Sequence, residues 1–354
     1  MNLGYTVTQQ QLMGILLNVA VVRPVFIWGA PGIGKSSLVE NFAEQVGLPC
    51  VSLLGSQLAP EDIIGVPQIM DGKSRFCPPA MIAREEPYCL FLDELNACSQ
   101  EVQKAFYSLI HEKRVGDYKL PEGSIVIGAG NRVQDSAIVK PMSSALINRM
   151  FHVQLKVSHK EWMEWAYSNG IHPMITQFLE IRPDYLWSQP PKTEEPFSTP
   201  RSWHILSDAL HELGQDISNE MIGILASGCV TPPHAAQFKA FHKNVNGKHQ
   251  LNRIIEGEAV FPTAPEDRDV LYFLADSFRA QIIKELPAEK ASVHDQHKRF
   301  AHRAKALLKD LSSISLEMAQ MVVAKHDEGN SLPDWFVVEV IRDLPRLAME
   351  RKDK

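Results

Sequence analysis

The 354-residue sequence has few cysteines, no long apolar run and no excess of positive charge. Its five cysteines form no CxxC pair, which argues against a disulfide framework or a zinc ribbon. The longest apolar runs, Ile15–Val22 and Val25–Trp28, fall short of the roughly 20 residues that a membrane span needs. No basic segment followed by an apolar core opens the chain, so no secretory signal is predicted. These absences predict a cytoplasmic protein with reduced thiols and no membrane insertion.

The remaining composition is that of an ordinary globular chain. Hydrophobic residues make up 45% and charged residues 22%, which excludes disorder, collagen and coiled coil as descriptions of the whole chain. The 36 Lys and Arg against 42 Asp and Glu give a formal net charge of −6. That balance argues against a surface that binds nucleic acid throughout, although a local basic channel remains open. The length suggests two or three domains.

Residues 1–154 alternate between helical patterns and short apolar strands, and the first helix is predicted over Gln9–Val22. Strands are predicted at Val25–Trp28, Cys50–Leu54, Tyr88–Leu92, Ile125–Ala129 and Met150–Leu155. Helices between successive strands imply parallel pairing, so the fold class is α/β with helices on both faces of the sheet. From about residue 156 the pattern is helical. Shorter helices are predicted at Trp162–Tyr167, Met174–Leu179, Trp203–Leu213, Met221–Ser227 and Ala235–His242, and longer ones at Asp267–Leu286, His294–Leu311 and Ser315–Lys325.

One loop carries specific chemistry. The run Gly29-Ala30-Pro31-Gly32-Ile33-Gly34-Lys35-Ser36 fits GxxxxGK[ST] at every fixed position, between an apolar strand and an amphipathic helix. In that context backbone N–H groups and the helix N-terminus hold phosphate. Lys35 is predicted to reach the β- and γ-phosphates, and Ser36 to ligate Mg²⁺. The predicted nucleotide-binding residues run from Gly29 to Ser37.

A second motif supplies carboxylates. The apolar run Cys89–Leu92 ends in Asp93 and Glu94. The pattern predicts a buried strand with acids at its carboxyl end, where ligands bind in open α/β sheets. Asp93 is predicted to hold Mg²⁺, and Glu94 to polarise the attacking water as a general base. ATP and Mg²⁺ are therefore the predicted substrate and cofactor.

The order of five motifs resembles that of AAA+ ATPases and, within them, of the MoxR type. The motifs are the phosphate loop, Leu90–Glu94, Gly128–Asn131, Asn148-Arg149 and Thr199-Pro200-Arg201. The resemblance covers residues 8–243. It implies a parallel-sheet P-loop NTPase core at residues 1–154 and an all-α lid at residues 155–245. Residues 246–354 are predicted to be a helical C-terminal extension, for which the resemblance gives no role.

The resemblance implies roles for three more residues. Asn131 matches the sensor 1 position, whose polar side chain orients the attacking water. Arg149 matches the arginine finger, which enters the neighbouring subunit's site and offsets charge on the γ-phosphate. Arg132 is a competing choice of finger and is ranked lower. Arg201 resembles sensor 2, a lid residue that reports the γ-phosphate. The sequence departs from the usual pattern at Asn148, where an acid is commoner, and in lacking Asn-Pro after the sensor strand.

Two loops resemble client-contacting elements of that family. Asp71-Gly72 between short alternating runs predicts a hairpin. It resembles the helix-2 insert of the MoxR type, which implies contact with a client through Lys73, Arg75 and Phe76. A plain structural hairpin is the alternative. The stretch Arg114–Lys119 resembles a second loop toward the pore.

These features predict a ring-forming ATPase, by resemblance a homohexamer, that remodels or activates a protein client. The resemblance also implies a von Willebrand factor A domain protein as partner. Two alternatives stay open. A nucleic-acid motor or loader would use the same core and a basic pore; the basic segment Lys284–Lys309 is a conceivable contact, although its interspersed acids favour a solvated helix face. A nucleotide-gated assembly scaffold would use hydrolysis only as a timer.

Overall fold

The computed structural model describes residues 4–132, 135, 141–214, 217–244, 250–324 and 331–347. The chain divides into two compact units. Unit 1 comprises residues 1–170, 187–194 and 199–202, and unit 2 comprises residues 171–186, 195–198 and 203–354. The limits predicted at residues 154 and 245 stay predictions, and residue 245 lies outside the described residues.

The strands of the described residues all belong to unit 1. They are β1 (Val25–Trp28), β2 (Cys50–Leu54), β3 (Val66–Met70), β4 (Lys73–Cys77), β5 (Cys89–Asp93), β6 (Arg114–Val115), β7 (Tyr118–Lys119), β8 (Ile125–Gly130) and β9 (Phe151–Gln154). Five of them form one parallel sheet in the order β2-β5-β8-β1-β9. The antiparallel ribbon β3–β4 and the short pair β6–β7 stand apart from that sheet. The predicted α/β fold with a parallel sheet is confirmed.

The central strands are apolar throughout because both faces of the sheet are covered. Every residue of β1 and β8 is buried. One face packs against a cluster that includes Phe106 and Leu109, and the other against a cluster that includes Leu12 and Phe42. Continuous apolar runs are the expected sequence of such strands. The five predicted strands agree with the observed ones to within one residue at each end.

Six helices of the described residues lie in unit 1. They are α1 (Gln9–Ile15), α2 (Lys35–Gln45), α3 (Glu61–Ile64), α4 (Gln100–Glu112), α5 (Ser144–Ile147) and α6 (His159–Ser168). A single helix predicted over Gln9–Val22 is wrong in its second half, where Leu16–Ala20 is a π-helix. The Asn18 side-chain amide donates to the Gly14 carbonyl at 2.7 Å, which offers that carbonyl a partner other than the regular α-helical one.

The rest of the described chain is helical. The helices are α7 (Pro173–Ile181), α8 (Pro200–Leu213), α9 (Asn219–Cys229), α10 (Pro232–Asn244), α11 (Leu251–Glu256), α12 (Arg268–Glu285), α13 (Asp295–Ile314), α14 (Leu316–Val323) and α15 (Asp334–Asp343). The predicted helices of this region are confirmed, whereas α11 and α15 were not predicted. The helix predicted to reach Lys325 ends at Val323, and Lys325 itself lies outside the described residues. Across the described ranges, no helix is both long and apolar enough to cross a bilayer.

Aromatic rings form the centre of unit 2. Phe178 on α7 is fully buried and contacts five other rings at centroid distances of 5.2 to 6.2 Å. Those partners are Tyr185, Trp203, Phe238, Phe241 and Phe273. The rings therefore tie α7, α8, α10 and α12 to one another, because each of these helices contributes at least one of them.

Candidate active site

The phosphate loop connects the carboxyl end of β1 to the start of α2. Gly32 and Gly34 have φ angles of +73° and +89°, which side chains with a Cβ rarely adopt. A Cβ on Gly32 would also lie 2.7 Å from Thr199 Oγ1. Ala30 and Ile33 are buried, Pro31 is half-buried and Ser37 is exposed. The loop therefore takes a shape that its glycines permit.

Lys35 lies at the centre of the site. Its side chain is 8% exposed, and Nζ donates to the carbonyl oxygens of Gly29 at 3.0 Å and Ala30 at 2.8 Å and to Asn131 Oδ1 at 2.9 Å. Burial lowers the pKa of Lys35 to about 8, opposed by the charge of Asp93. A cation bound only to neutral oxygens is ready to exchange them for phosphate oxygens, which would stabilise its charge more.

Ser36 and Asp93 form the second contact of the site. Ser36 Oγ, at the start of α2, donates to Asp93 Oδ2, at the end of β5, at 2.7 Å. A hydroxyl and a carboxylate are the hard oxygen ligands that Mg²⁺ takes when substrate phosphates and water complete its shell. The residues present therefore fit the predicted magnesium site.

Glu94 forms hydrogen bonds with Ser56 and Asp93, which lie outside the phosphate loop. Its φ is +53°, and its N–H donates to Asp93 Oδ1 at 2.9 Å. Its carboxylate accepts a hydrogen bond from Ser56 Oγ at 2.5 Å. Sequence reasoning missed Ser56. The signal that could have found it is its place just after β2, since β2 pairs with β5 and Leu54 lies opposite Asp93.

Asn131 follows β8 and is positioned by Asn96. The Asn96 side-chain amide donates to the Asn131 carbonyl at 2.7 Å. Asn96 approaches Gly130 so closely that a Cβ there would lie 2.1 Å from Asn96 Oδ1. Asn96 Oδ1 itself is buried and has no hydrogen-bond partner within the described residues. Asn96 thus fixes the strand end from which Asn131 reaches Lys35.

Arg201 also lies beside the phosphate loop. Its backbone N–H donates to the Gly32 carbonyl at 3.1 Å. The charge of its guanidinium contributes to the lowered pKa of Lys35. Thr199 and Ser202 bond reciprocally: Thr199 N–H donates to Ser202 Oγ at 2.8 Å, and Ser202 N–H to Thr199 Oγ1 at 3.0 Å. This capping arrangement starts α8 at Pro200, a residue type favoured at the first position of a helix.

The two candidate fingers differ in their partners. Arg132, next to Asn131, forms a two-pronged ion pair with the buried Asp135, whose Oδ1 lies 2.9 Å from Arg132 Nη2. Arg149 has no ion pair in the part of the chain that the structure describes. Its Nη1 donates to the Ala145 carbonyl at 2.8 Å, and its Cζ lies 4.3 Å from the centre of the Tyr107 ring.

A cavity of about 350 Å³ adjoins the phosphate loop. Its lining includes Thr6, Ala30, Ile33, Trp187 and Gln189, all in unit 1. The Trp187 indole N–H is buried and has no acceptor among the described residues. The volume falls in the range of small-ligand pockets. Sequence reasoning missed Trp187 and Gln189, because they lie far along the chain from the loop that they approach.

The structure thus brings most of the predicted residues to one edge of the sheet. Lys35, Ser36, Asp93 and Asn131 share hydrogen bonds there, and Arg201 lies beside them. Glu94 is adjacent through Asp93. Arg149 forms no contact with these groups; its partners are Ala145 and Tyr107.

Comparison with known proteins agrees with this geometry. Residues 24–150 match the family profile of the AAA domain (dynein-related subfamily). The matched segment runs from the residue before β1 to the residue before β9. It contains the phosphate loop, Asp93, Glu94, Asn131 and Arg149, and it stops before Arg201.

Several curated relatives align with part of the chain. Midasin of Giardia intestinalis is 28% identical over 167 residues, 45% of this chain and 4% of its own length. The Holliday junction branch migration complex subunit RuvB of Synechococcus sp. (strain WH7803) is 22% identical over 138 residues, 37% of this chain and 32% of its own length. Chaperone MoxR1 of Mycobacterium tuberculosis is 26% identical over 156 residues, 42% of this chain and 41% of its own length. The chain therefore spans less than half the length of each of these relatives.

Proposed function

Because residues 24–150 form an AAA+ ATPase domain, a domain that hydrolyses ATP, we propose that this chain assembles into a ring that remodels or activates a protein client. The observation that carries the proposal is the group at the carboxyl edge of the sheet. There Lys35 binds Asn131, and Ser36 binds Asp93, through direct side-chain hydrogen bonds. The proposal assigns nucleotide chemistry to these groups and client contact to the β3–β4 ribbon.

The proposed roles follow from the chemistry of each group. Lys35 and the loop N–H groups bind the phosphates. Ser36 and Asp93 hold Mg²⁺, which when bound neutralises phosphate charge. Glu94 takes a proton from the attacking water once its carboxylate leaves Ser56, and Asn131 orients that water. Together these residues hydrolyse ATP to ADP and phosphate.

The cavity next to the phosphate loop is the proposed site for the nucleoside. Its wall contains loop residues Ala30 and Ile33, so a nucleotide whose phosphates lie in the loop reaches the cavity directly. The Trp187 ring offers an apolar surface, and Gln189 offers an amide. An aromatic surface with a few polar groups is the usual composition of such a pocket.

The ring follows from Arg149 as the finger in trans. Arg132 is neutralised by Asp135, so Arg149 is the better candidate of the two. Its present partners are one carbonyl and one aromatic face, which a phosphate can replace. A finger that serves a neighbour requires head-to-tail contacts, and such contacts close into rings. We propose a homohexamer.

The β3–β4 ribbon is the proposed client contact. All residues of β3 are exposed, with Ile69 at 85%, and Phe76 on β4 is 45% exposed. Lys73 and Arg75 add positive charge to the same ribbon. Exposed apolar groups beside cations suit a loosely folded polypeptide with acidic residues. The β6–β7 loop, Arg114–Lys119, is proposed as a second contact.

A von Willebrand factor A domain partner and a cytoplasmic location complete the proposal. The partner rests on the resemblance to the MoxR type and on the likeness to chaperone MoxR1. The location rests on the five cysteines, which are all free thiols.

A nucleic-acid motor is the second candidate, favoured by the likeness to RuvB. The formal net charge of −6 counts against it. The two functions are separated by asking which polymer stimulates the ATPase. We expect casein, an unstructured polypeptide, to raise the turnover rate, and duplex or single-stranded DNA to leave it unchanged. Stimulation by DNA alone would replace the proposal with the second candidate.

Ribbon variants sharpen that experiment. Ile69→Ser is expected to abolish stimulation by casein and to keep the basal rate, because β3 contributes no buried residue. Val338→Ser is the matched control, since Val338 is 66% exposed and lies on α15. Equal stimulation of both variants would contradict the assignment of the ribbon. Mass photometry with Glu94→Gln and ATP tests the ring, and a monomer under those conditions would contradict it.

A further inference from the structure

Two aromatic side chains on neighbouring strands share a hydrogen bond that the proposed chemistry does not use. Trp28 ends β1 and His152 lies on β9, the strand that pairs with β1. Trp28 Nε1 donates to His152 Nδ1 at 3.0 Å. Because Nδ1 accepts, the ring proton is on Nε2, and Nε2 donates to the Ile147 carbonyl at 2.7 Å. His152 therefore bridges β1 and the end of α5 with both of its nitrogens.

The surroundings of His152 fix its position. Its ring is half-buried and lies near Phe26 and Trp28, at centroid distances of 5.7 and 6.0 Å. Burial lowers the pKa of His152, opposed by the hydrogen bond to Ile147. The neutral ring with its proton on Nε2 is the form that makes both bonds at once.

On one side the bridge reaches the phosphate loop. Trp28 is followed directly by Gly29, whose N–H donates to the Gly130 carbonyl at 3.2 Å. The Gly29 carbonyl accepts from Lys35 Nζ at 3.0 Å. When Lys35 turns to a phosphate it releases this carbonyl, so the backbone next to Trp28 changes partners as the nucleotide binds.

On the other side the bridge reaches Arg149. Ile147 is the last residue of α5, a single turn of four residues. A helix this short has little stability of its own, so its orientation depends on the contacts made at its ends. Arg149 follows two residues later and bonds back to Ala145 within α5. The direction of Arg149 is thus tied to the direction of α5.

We propose that His152 is a positioning residue, which joins the phosphate loop to the Arg149 segment through the hydrogen bonds of Trp28 and Ile147. This role rests on the proposed function, because it requires Arg149 to act in a neighbouring site. The phosphate loop of each subunit thereby sets the orientation of Arg149, which acts in the neighbouring subunit's site. His152 touches no nucleotide and acts only through Arg149.

The first test compares single and paired substitutions. His152→Phe keeps an aromatic ring and removes both hydrogen bonds, and Trp28→Phe removes the first bond from its other end. Each variant is expected to lower kcat roughly tenfold or more, since small misplacements of a catalytic group have effects of this size, with the KM for ATP unchanged. The double variant is expected to be no slower than the slower single variant, because both interrupt one path. Multiplied losses would overturn the proposal.

Subunit mixing then asks where the defect acts. Glu94→Gln subunits are expected not to hydrolyse ATP but to keep Arg149 in place. Subunits with both Glu94→Gln and His152→Phe are expected not to hydrolyse ATP and to hold Arg149 in an altered position. Each kind is mixed in rising proportion with wild-type subunits, and ATP turnover per wild-type subunit is measured. We expect the paired variant to lower turnover more steeply, because its finger serves wild-type neighbours. Coincident curves would overturn the proposal.

Two controls keep the outcome clear. A third series uses Glu94→Gln with Arg149→Ala. If turnover falls steeply in that series but the His152→Phe curve coincides with that of Glu94→Gln alone, only the positioning role of His152 is overturned. If all three curves coincide, the assignment of Arg149 as the finger is overturned as well. If His152→Phe lowers the melting temperature or the affinity for ATP, Trp28→Phe replaces it in the mixtures, and coincidence there overturns the proposal equally.

Discussion

Lys35 Nζ lies 2.9 Å from Asn131 Oδ1, and the same ammonium also binds two carbonyl oxygens of its own loop. The lysine and the asparagine belong to different elements, α2 and the end of β8. Their hydrogen bond means that the loop proposed to bind phosphate and the strand end proposed to face the attacking water share one contact. Removal of either side chain therefore leaves the other without this hydrogen-bond partner.

Asn131→Ala is expected to lower kcat by about tenfold to a hundredfold, because the water loses one orienting group and Lys35 loses an acceptor. The affinity for ATP should change little, since Lys35 keeps its charge. Steady-state kinetics together with equilibrium nucleotide binding measures both. Asn41→Ala is the control, an exposed asparagine on α2. A variant that keeps full kcat would contradict the role of Asn131.

The affinity for ATP is expected to fall as the pH rises above about 8. Burial lowers the pKa of Lys35 to about 8, and bound phosphate raises it again by stabilising the ammonium. Binding therefore takes up a proton once the free site has lost one, and affinity drops by about tenfold per pH unit in that range. Below about pH 7 the lysine is charged in both states and contributes no slope.

Equilibrium binding between about pH 7 and about pH 9.5 checks this linkage, with Lys35→Arg as the control. The guanidinium stays charged throughout that range, so the variant's affinity, although lower, should not follow the pH. A slope of equal size in both proteins would assign the titration to another group.

Ser56→Ala is expected to raise the basal ATPase rate. The Ser56 hydroxyl donates to the Glu94 carboxylate at 2.5 Å, and this bond must break before Glu94 can act as the proposed general base. Because Ser56 is exposed, the bond contributes about 1 kcal/mol, which corresponds to about a fivefold change in rate. Ser56→Thr keeps a hydroxyl and should behave like the wild type. A rate that falls in Ser56→Ala would show that Ser56 assists the reaction instead.

Phe178→Ala is expected to destabilise unit 2 by about 3–5 kcal/mol, the usual cost of emptying a buried phenylalanine site. Phe178 contacts five rings and is fully buried. Denaturant unfolding followed by tryptophan fluorescence reports the change, because Trp203 lies in the same group. Ile224→Ala, at a 59% exposed position of α9, should change stability by less than about 0.5 kcal/mol.

The sequence predicts the sheet and the phosphate loop because both depend on local patterns. The strands are continuous apolar runs, and the loop needs glycines where φ is positive, as Gly32 and Gly34 show. Helix α15 was missed although its buried residues, Phe336 and Val340, stand four residues apart as on other helices. The π-helix escaped prediction because its buried residues, Leu16 and Ala20, have the same four-residue spacing as in an α-helix.

The parts of the site that escaped prediction depend on which strands become neighbours. Ser56 reaches Glu94 because β2 lies beside β5, although the two residues are far apart in the chain. Trp187, which lies on no strand, lines the cavity together with Ile33, and no local sequence pattern links the two segments. No local pattern distinguishes His152 from other strand residues, because its partners lie on β1 and α5.

The exposed β3–β4 ribbon has a consequence for redesign of the protein. Its ten strand residues contribute no fully buried side chain, while Gly65 at its base, with φ of +86°, admits no Cβ because one would lie 1.8 Å from the Cys77 carbonyl oxygen. Substitutions beyond that base therefore cost little folding energy. A different sequence grafted between Gly65 and Cys77 should therefore leave the parallel sheet and the phosphate loop folded, and under the proposed function it would change which client the protein binds.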